Sequence, residues 1–122
     1  MKYILLIYHQ EGDIDESTRN QCYADSAKLI HELDAAKKFL GSSPLHRVST
    51  ATSVRLRDGK RIVTDGPFAE THEQLGGYYL VDVEDLDEAV EIAARVPVAK
   101  YGTVEVRPLI ELPQSLKVPA TV

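Results

Sequence analysis

Residues 3–8 read Tyr-Ile-Leu-Leu-Ile-Tyr, an apolar run without polar alternation. Side chains of a strand point alternately to its two faces, so a strand with this composition is apolar on both. It belongs at the centre of a sheet and needs cover on each side. Residues 77–83, Gly-Tyr-Tyr-Leu-Val-Asp-Val, repeat the pattern and predict a second core strand. These two runs constrain the architecture more than any other feature of the chain.

The segments between them supply the remaining elements. Gly12 and Asp13 end the first strand, and a helical pattern follows over 16–37. Cys22, Leu29, Leu33 and Ala36 share one stripe, while Arg19, Lys28, Glu32, Asp34 and Lys38 lie mostly off it. Asp15 or Ser17 suits the N-cap. A short strand is expected near 39–42, ended by Pro44. Segments 52–57 and 60–64 flank Asp58-Gly59, the signature of a two-residue hairpin turn. Val54 and Leu56 alternate with Ser53, Arg55 and Arg57, so this ribbon is half buried at most, and its arginines blunt an exposed edge. Asp85 caps a second helix with Glu88 three positions on. Leu86, Ala89, Val90 and Ala93 form its expected stripe, and Pro97 stops it. Residues 103–108 make the last strand. The folded unit spans 1–112, and 113–122 is a tail with two prolines.

The order β-α-β, hairpin, β-α-β describes an α+β, ferredoxin-like antiparallel sheet with two helices on one face and an extra β-hairpin. The helices cover one side of the sheet only. Ile4, Leu6 and Tyr8, or their alternates, must face the other, and a second copy related by two-fold symmetry covers them most cheaply. A homodimer is therefore expected.

At 122 residues one domain with a modest core is the natural reading. A formal charge of −5 argues against nucleic-acid binding, which normally needs a clustered basic surface. No apolar run approaches a membrane span, and residues 1–8 are too short for a signal-peptide core. Cys22 is the single cysteine, so no internal disulfide is possible and a reducing cytoplasm is the expected setting.

Candidate chemistry concentrates in Asp65-Gly66-Pro67-Phe68-Ala69-Glu70-Thr71 and the Glu73-Gln74-Leu75-Gly76-Gly77 segment that follows. Asp65 beside Phe68 is the leading general base; the plainer reading is an Asp that bonds the amides of its own turn. Glu70 and Glu73 could complete a carboxylate cluster or bind a cation through oxygen ligands; the plainer reading is solvated loop or first-turn helix charges. His9, at the end of the first strand, and His72, after the loop, could each move a proton, or be surface histidines. Tyr78, Tyr79 and Tyr101 read as core or pocket-wall aromatics. Arg107 pairs with an acidic ligand or, more simply, with Asp82. Cys22 reads as a buried, inert thiol. The cluster Arg55, Arg57, Lys60 and Arg61 either steers an anion or keeps an edge soluble. The histidines 9, 31, 46 and 72 show no metal-site spacing, and neither a metal nor an organic cofactor is expected. The expected site is thus Asp65, His72 and His9 for proton transfer, with Phe68, Glu70, Tyr78 and Arg107 around a small-molecule ligand.

The chain resembles the DGPF-motif proteins, a branch of the YCII-related family. The resemblance runs through residues 3–8, 52–59, 63–71, 73–83, 85–89 and 101–108, with Asp65-Gly66-Pro67-Phe68 its most specific part. It implies a dimeric α+β-barrel of ferredoxin-like subunits. The wider group has been proposed to carry a His on the first helix and an Asp before a proline after the second. Here Val96 precedes Pro97, and His31 lies off the apolar stripe, so that pair does not carry over. The resemblance also links the branch to certain alternative sigma factors, which leaves a non-catalytic regulatory or protein-interaction module as the alternative to a small-molecule enzyme.

Overall fold

The computed structural model describes residues 1–119, so the end of the 113–122 tail lies outside the described residues. Strands β1 (Lys2–His9), β2 (Phe39–Pro44), β5 (Gln74–Asp82) and β6 (Thr103–Pro108) form one sheet in the order β2-β5-β1-β6. Neighbouring strands are antiparallel throughout. Helix α1 (Glu16–Ala35) follows β1, and α2 (Leu86–Arg95) follows β5. Strands β3 (Thr52–Arg57) and β4 (Lys60–Asp65) form a separate two-stranded ribbon. The molecule has the ferredoxin-like α+β fold that its element order predicts.

The core occupies the helix side of the sheet. Tyr3, Leu5 and Ile7 of β1 and Tyr79 and Val81 of β5 pack there with Leu29 and Leu33 of α1. Leu5 is wholly inaccessible to solvent, as a central position on a central strand requires. The alternate residues Ile4, Leu6, Tyr8, Tyr78 and Leu80 share the opposite face, where Ile4 sits across from Leu80 and Leu6 from Tyr78. They are only partly buried within one chain.

Of the two candidate caps, Asp15 rather than Ser17 starts helix α1, where Thr18 N–H donates to Asp15 Oδ1 at 2.7 Å. It ends in a Schellman arrangement: Lys38 N–H donates to Leu33 O and Lys37 N–H to Asp34 O. Lys37 takes φ +60° to make this turn, so the helix stops short of residue 37 and Ala36 is exposed. Asp85 caps α2 by accepting from Glu88 N–H at 2.9 Å, while the Glu88 carboxylate reaches back to Glu84 N–H.

The stripe of α2 differs from expectation. Ala89, Ile92 and Ala93 are buried, followed by Val96, whereas Leu86 and Val90 are exposed. At about 100° per residue, Val90 and Leu86 fall on one flank of the face centred on Ala89 and Val96. Ile92 lies on the opposite flank, which turns inward. The apolar arc of this helix is wider than the space the sheet offers it.

The ribbon stands apart from this core. Asp58 (φ +51°) and Gly59 (φ +73°) form its left-handed turn, as a type I′ hairpin requires. All of β4 and most of β3 are exposed, including Val54, Leu56, Ile62 and Val63. Val54 and Leu56 are exposed, within the half-burial that their alternation sets as an upper limit.

Candidate functional site

A cavity of about 490 Å³ opens between β1, β5 and α1, bordered by residues 42–47 and 96–98. Its apolar walls include Ile7, Ile14, Ile30, Leu45, Val96 and Val98. Set among them are His9, Glu11, Arg19, Ser26, His46, Arg47 and Tyr79. A concavity whose surface is mostly apolar, with polar groups set into it, is the usual make-up of a small-molecule site.

His9 is the last residue of β1 and continues the helix-facing phase of Tyr3, Leu5 and Ile7. Pairing of β1 with β5 slips between Ile7 and Tyr8: Ile7 opposes Gly77, but Tyr8 opposes Leu75. Gly76 is the extra residue of this bulge. A Cβ on Gly76 would lie 2.7 Å from His9 Nε2, so the imidazole lies against bare backbone. A Cβ on Gly77 would meet Ser43 O at 3.0 Å, which lets β2 close against the same wall. On the other flank, a Cβ on Gly102 would sit 2.0 Å from Tyr8 O, so the approach to β6 presses directly on the strand end carrying His9. His9 Nδ1 lies 3.4 Å from Gln10 O.

Glu11 organises the rim. Its Oε1 accepts from Val48 N–H at 2.8 Å, and its Oε2 lies 3.6 Å from Arg47 Nε. Its own N–H donates to Gln74 Oε1 at 2.9 Å, joining the rim to the start of β5. Arg47 is thereby partly neutralised. Among the described residues Arg19 takes part in no ion pair, leaving an exposed cation on the rim of the cavity.

Deeper in, Ser26 Oγ and Tyr79 OH meet at 2.5 Å. Burial pushes the Tyr79 phenol above its ordinary value, and the hydrogen bond with Ser26 opposes that only in part. The phenol is therefore a proton-bearing hydrogen-bonding group at neutral pH, not a base. Burial likewise raises the Cys22 thiol, with Lys100 acting the other way, in keeping with an inert side chain.

Of the residues expected at a site, the structure places His9 on this cavity, together with Gly76, Gly77 and Tyr79 from the glycine-rich segment. Asp65, Phe68, Glu70 and His72 are exposed and do not line it. Asp65 ends β4 opposite Thr52. Phe68, 76% exposed, stacks under Arg55 at 4.9 Å rather than shielding Asp65. Glu73 accepts from Thr103 Oγ1 at 2.8 Å and ties the loop to β6. Tyr78 lies on the open face of the sheet, opposite Leu6 and Ser43.

Arg107 lies opposite Ile4 on β6, while Asp82 lies opposite Lys2 on β5. These strands flank β1 on opposite sides, so the expected Arg107–Asp82 pair does not form. Asp82 takes the Met1 ammonium instead, at 3.3 Å.

The cavity also takes in Ser26, Glu11, Arg19, His46 and Arg47, none of which is expected at the site from sequence. Ser26 had a usable signal: it lies on the stripe of Cys22, Leu29 and Leu33, a small polar residue on an apolar face. The others come from segments far apart in sequence and carry no local mark.

Comparison with known proteins agrees with this fold. The family model for the YCII-related domain matches residues 1–113. An uncharacterised protein of Rhizobium meliloti (strain 1021) is 35% identical over 118 residues, covering 89% of this chain and 92% of its own. Among solved structures, the 5-chloro-2-hydroxyhydroquinone dehydrochlorinase of Burkholderia phenoliruptrix, in complex with 2,5-dihydroxybenzoquinone, shares the fold with a TM-score of 0.55. The two chains are 15% identical, and the match covers 90% of this one and 94% of the other. With nearly its whole length matched by the family model, and with the fold and cavity described, this chain belongs to the YCII-related domain family.

Proposed function

We propose that this protein binds a small molecule in the cavity beneath α1 and that His9 carries a proton to or from it. The observation that carries this reading is the placement of His9: an imidazole on the wall of an apolar cavity, held against the bare backbone of Gly76. Imidazole exchanges protons near neutral pH, and general acid–base catalysis by a positioned side chain contributes about 10²–10⁴ in rate. The dehydrochlorinase of similar fold, solved with 2,5-dihydroxybenzoquinone, supports hydroxylated ring compounds as first probes. The test follows exchange of ring C–H for deuterium in D₂O by NMR, on a panel of such compounds. His9→Asn should keep affinity within about threefold and slow exchange about 100-fold or more. Exchange at the unaltered rate in that variant would end the assignment. Asp65→Asn and His72→Asn in the same assay test whether the loop shares in the chemistry.

The open face of the sheet supports a second part of the proposal, a homodimer in which a twin covers Ile4, Leu6, Tyr8, Tyr78 and Leu80. Light scattering on Leu6→Glu should then report a smaller mass than the native chain, and identical masses would remove that dimer.

One observation favours a different class of function. The ribbon exposes Val54, Leu56 and Val63 on one face and Ile62 on the other, beside Arg55 and its partner Phe68, more apolar surface than a solvated hairpin needs. A regulatory interaction module, with a sigma factor as the partner the resemblance implies, would use it. Leu56→Ser with Phe68→Ser should abolish such a complex while leaving cavity binding intact.

A further inference from the structure

Each hydroxyl group has one proton to donate and two lone pairs to accept with. Ser26 and Tyr79 together hold two protons, and the contact between them uses one. Ser26 Oγ and Tyr79 OH have no other partner among the described residues. The pair therefore carries one unused donor, whichever oxygen supplies the shared proton. Tyr79 is only 2% exposed, and both residues line the cavity, so bulk water is not the ready partner it would be at the surface. A buried donor left unmatched is costly, and a bound acceptor recovers that cost.

We infer that the Ser26–Tyr79 hydroxyl pair is the polar anchor of the cavity, donating a hydrogen bond to an anionic oxygen of the bound molecule. The class of ligand is a phenolate or enolate with an apolar ring or chain. Its oxygen meets the hydroxyl pair, and its body rests on Ile7, Ile30, Val96 and Val98. The inference rests on the small-molecule reading of this cavity and deepens it. Neutral hydroxyls satisfy an oxyanion without adding a buried charge, and the raised phenol keeps the Tyr79 proton in place where such ligands are ionised. Arg19, at the rim, supplies the attraction that brings an anion to the mouth.

The experiment titrates the whole protein with two probes of similar size, 4-nitrophenolate and 4-nitrotoluene, at a pH where the phenol is ionised. Binding is read from the methyl NMR signals of Ile7 and Ile30, inside the cavity. The native chain should bind the phenolate more tightly. Tyr79→Phe and Ser26→Ala should each weaken the phenolate about 10-fold or more, the usual scale for a hydrogen bond to a charged group. Both should leave 4-nitrotoluene within about threefold, and thermal melts establish that each variant is folded. If the two probes bind equally and neither variant distinguishes them, the anchor is refuted and the cavity reading stands. If neither probe moves the isoleucine signals of the native chain at millimolar concentration, the cavity reading falls and the anchor with it.

Discussion

The cavity and the ribbon divide the chemistry-bearing residues of this chain in opposite ways. The ribbon and its loop hold the densest run of turn residues and carboxylates, all close in sequence and nearly all in water. The cavity draws on β1, α1, β2, β5 and the segment after α2, with few polar groups in any one of them. Turn chemistry is written locally because a turn is a local event. A pocket depends on strand pairing and helix packing, so its members are scattered along the chain. Residue density in sequence marks where the backbone bends, and in this protein the enclosed chemistry lies elsewhere.

The contrast can be broken most forcefully at the core beneath the cavity. Leu5→Ala removes a fully buried side chain from the central strand and should cost about 2–5 kcal/mol in denaturant unfolding. Leu56→Ala on the ribbon, 67% exposed, should change stability by less than about 0.5 kcal/mol. A large cost at Leu56 in dilute protein would show that the ribbon is packed in solution and the contrast false.

A subtler separation comes from Gly76. Gly76→Ala places a methyl group where the His9 ring now lies. That ring is a side chain and can yield, so cavity binding and proton exchange should fall tenfold or more. The accompanying stability loss should stay near the roughly 1–3 kcal/mol typical of overpacking. Normal exchange in this variant would show that the ring position does not matter.

The smallest effect lies on α2 and depends on pH. Glu88 is held below its ordinary value chiefly by the hydrogen bond from the Lys38 ammonium, 2.5 Å away, and then by Glu84 N–H. A carboxylate lowered in the folded state adds stability above its unfolded value and loses it as pH falls through the folded one. Thermal melts should therefore show a steeper acid decline in the native chain than in Lys38→Met. Equal slopes would remove the pair from the account of acid stability.

Much of the fold was legible because it follows from periodicity. The apolar phases of residues 3–8 placed β1 at the centre, and Asp15 and Asp85 marked both helix starts through their capping side chains. The end of α1 carries no mark in the sequence, because Lys37 adopts the left-handed conformation that glycine usually supplies. On α2 the apolar residues span an arc wide enough to allow a face centred toward Leu86 and Val90, and only packing against the sheet selects the Ile92 side. At the site, His9 could be named from its position at a strand end. Asp65 drew notice through Gly66 and Pro67, which specify a bend and say nothing of enclosure. Arg19 and His46 become neighbours of one space only once β1, β2 and α1 are assembled.

The slip in pairing between Ile7 and Tyr8 gives two successive glycines to one wall, so part of the room in this protein exists through atoms that were never added. Room made by omission is easily adjusted. A single methyl at 76 would displace only the His9 ring and reshape the chamber, whereas one at 77 would press on the Ser43 carbonyl and shift β2, so relatives that accept bulkier or slimmer guests should differ first at 76.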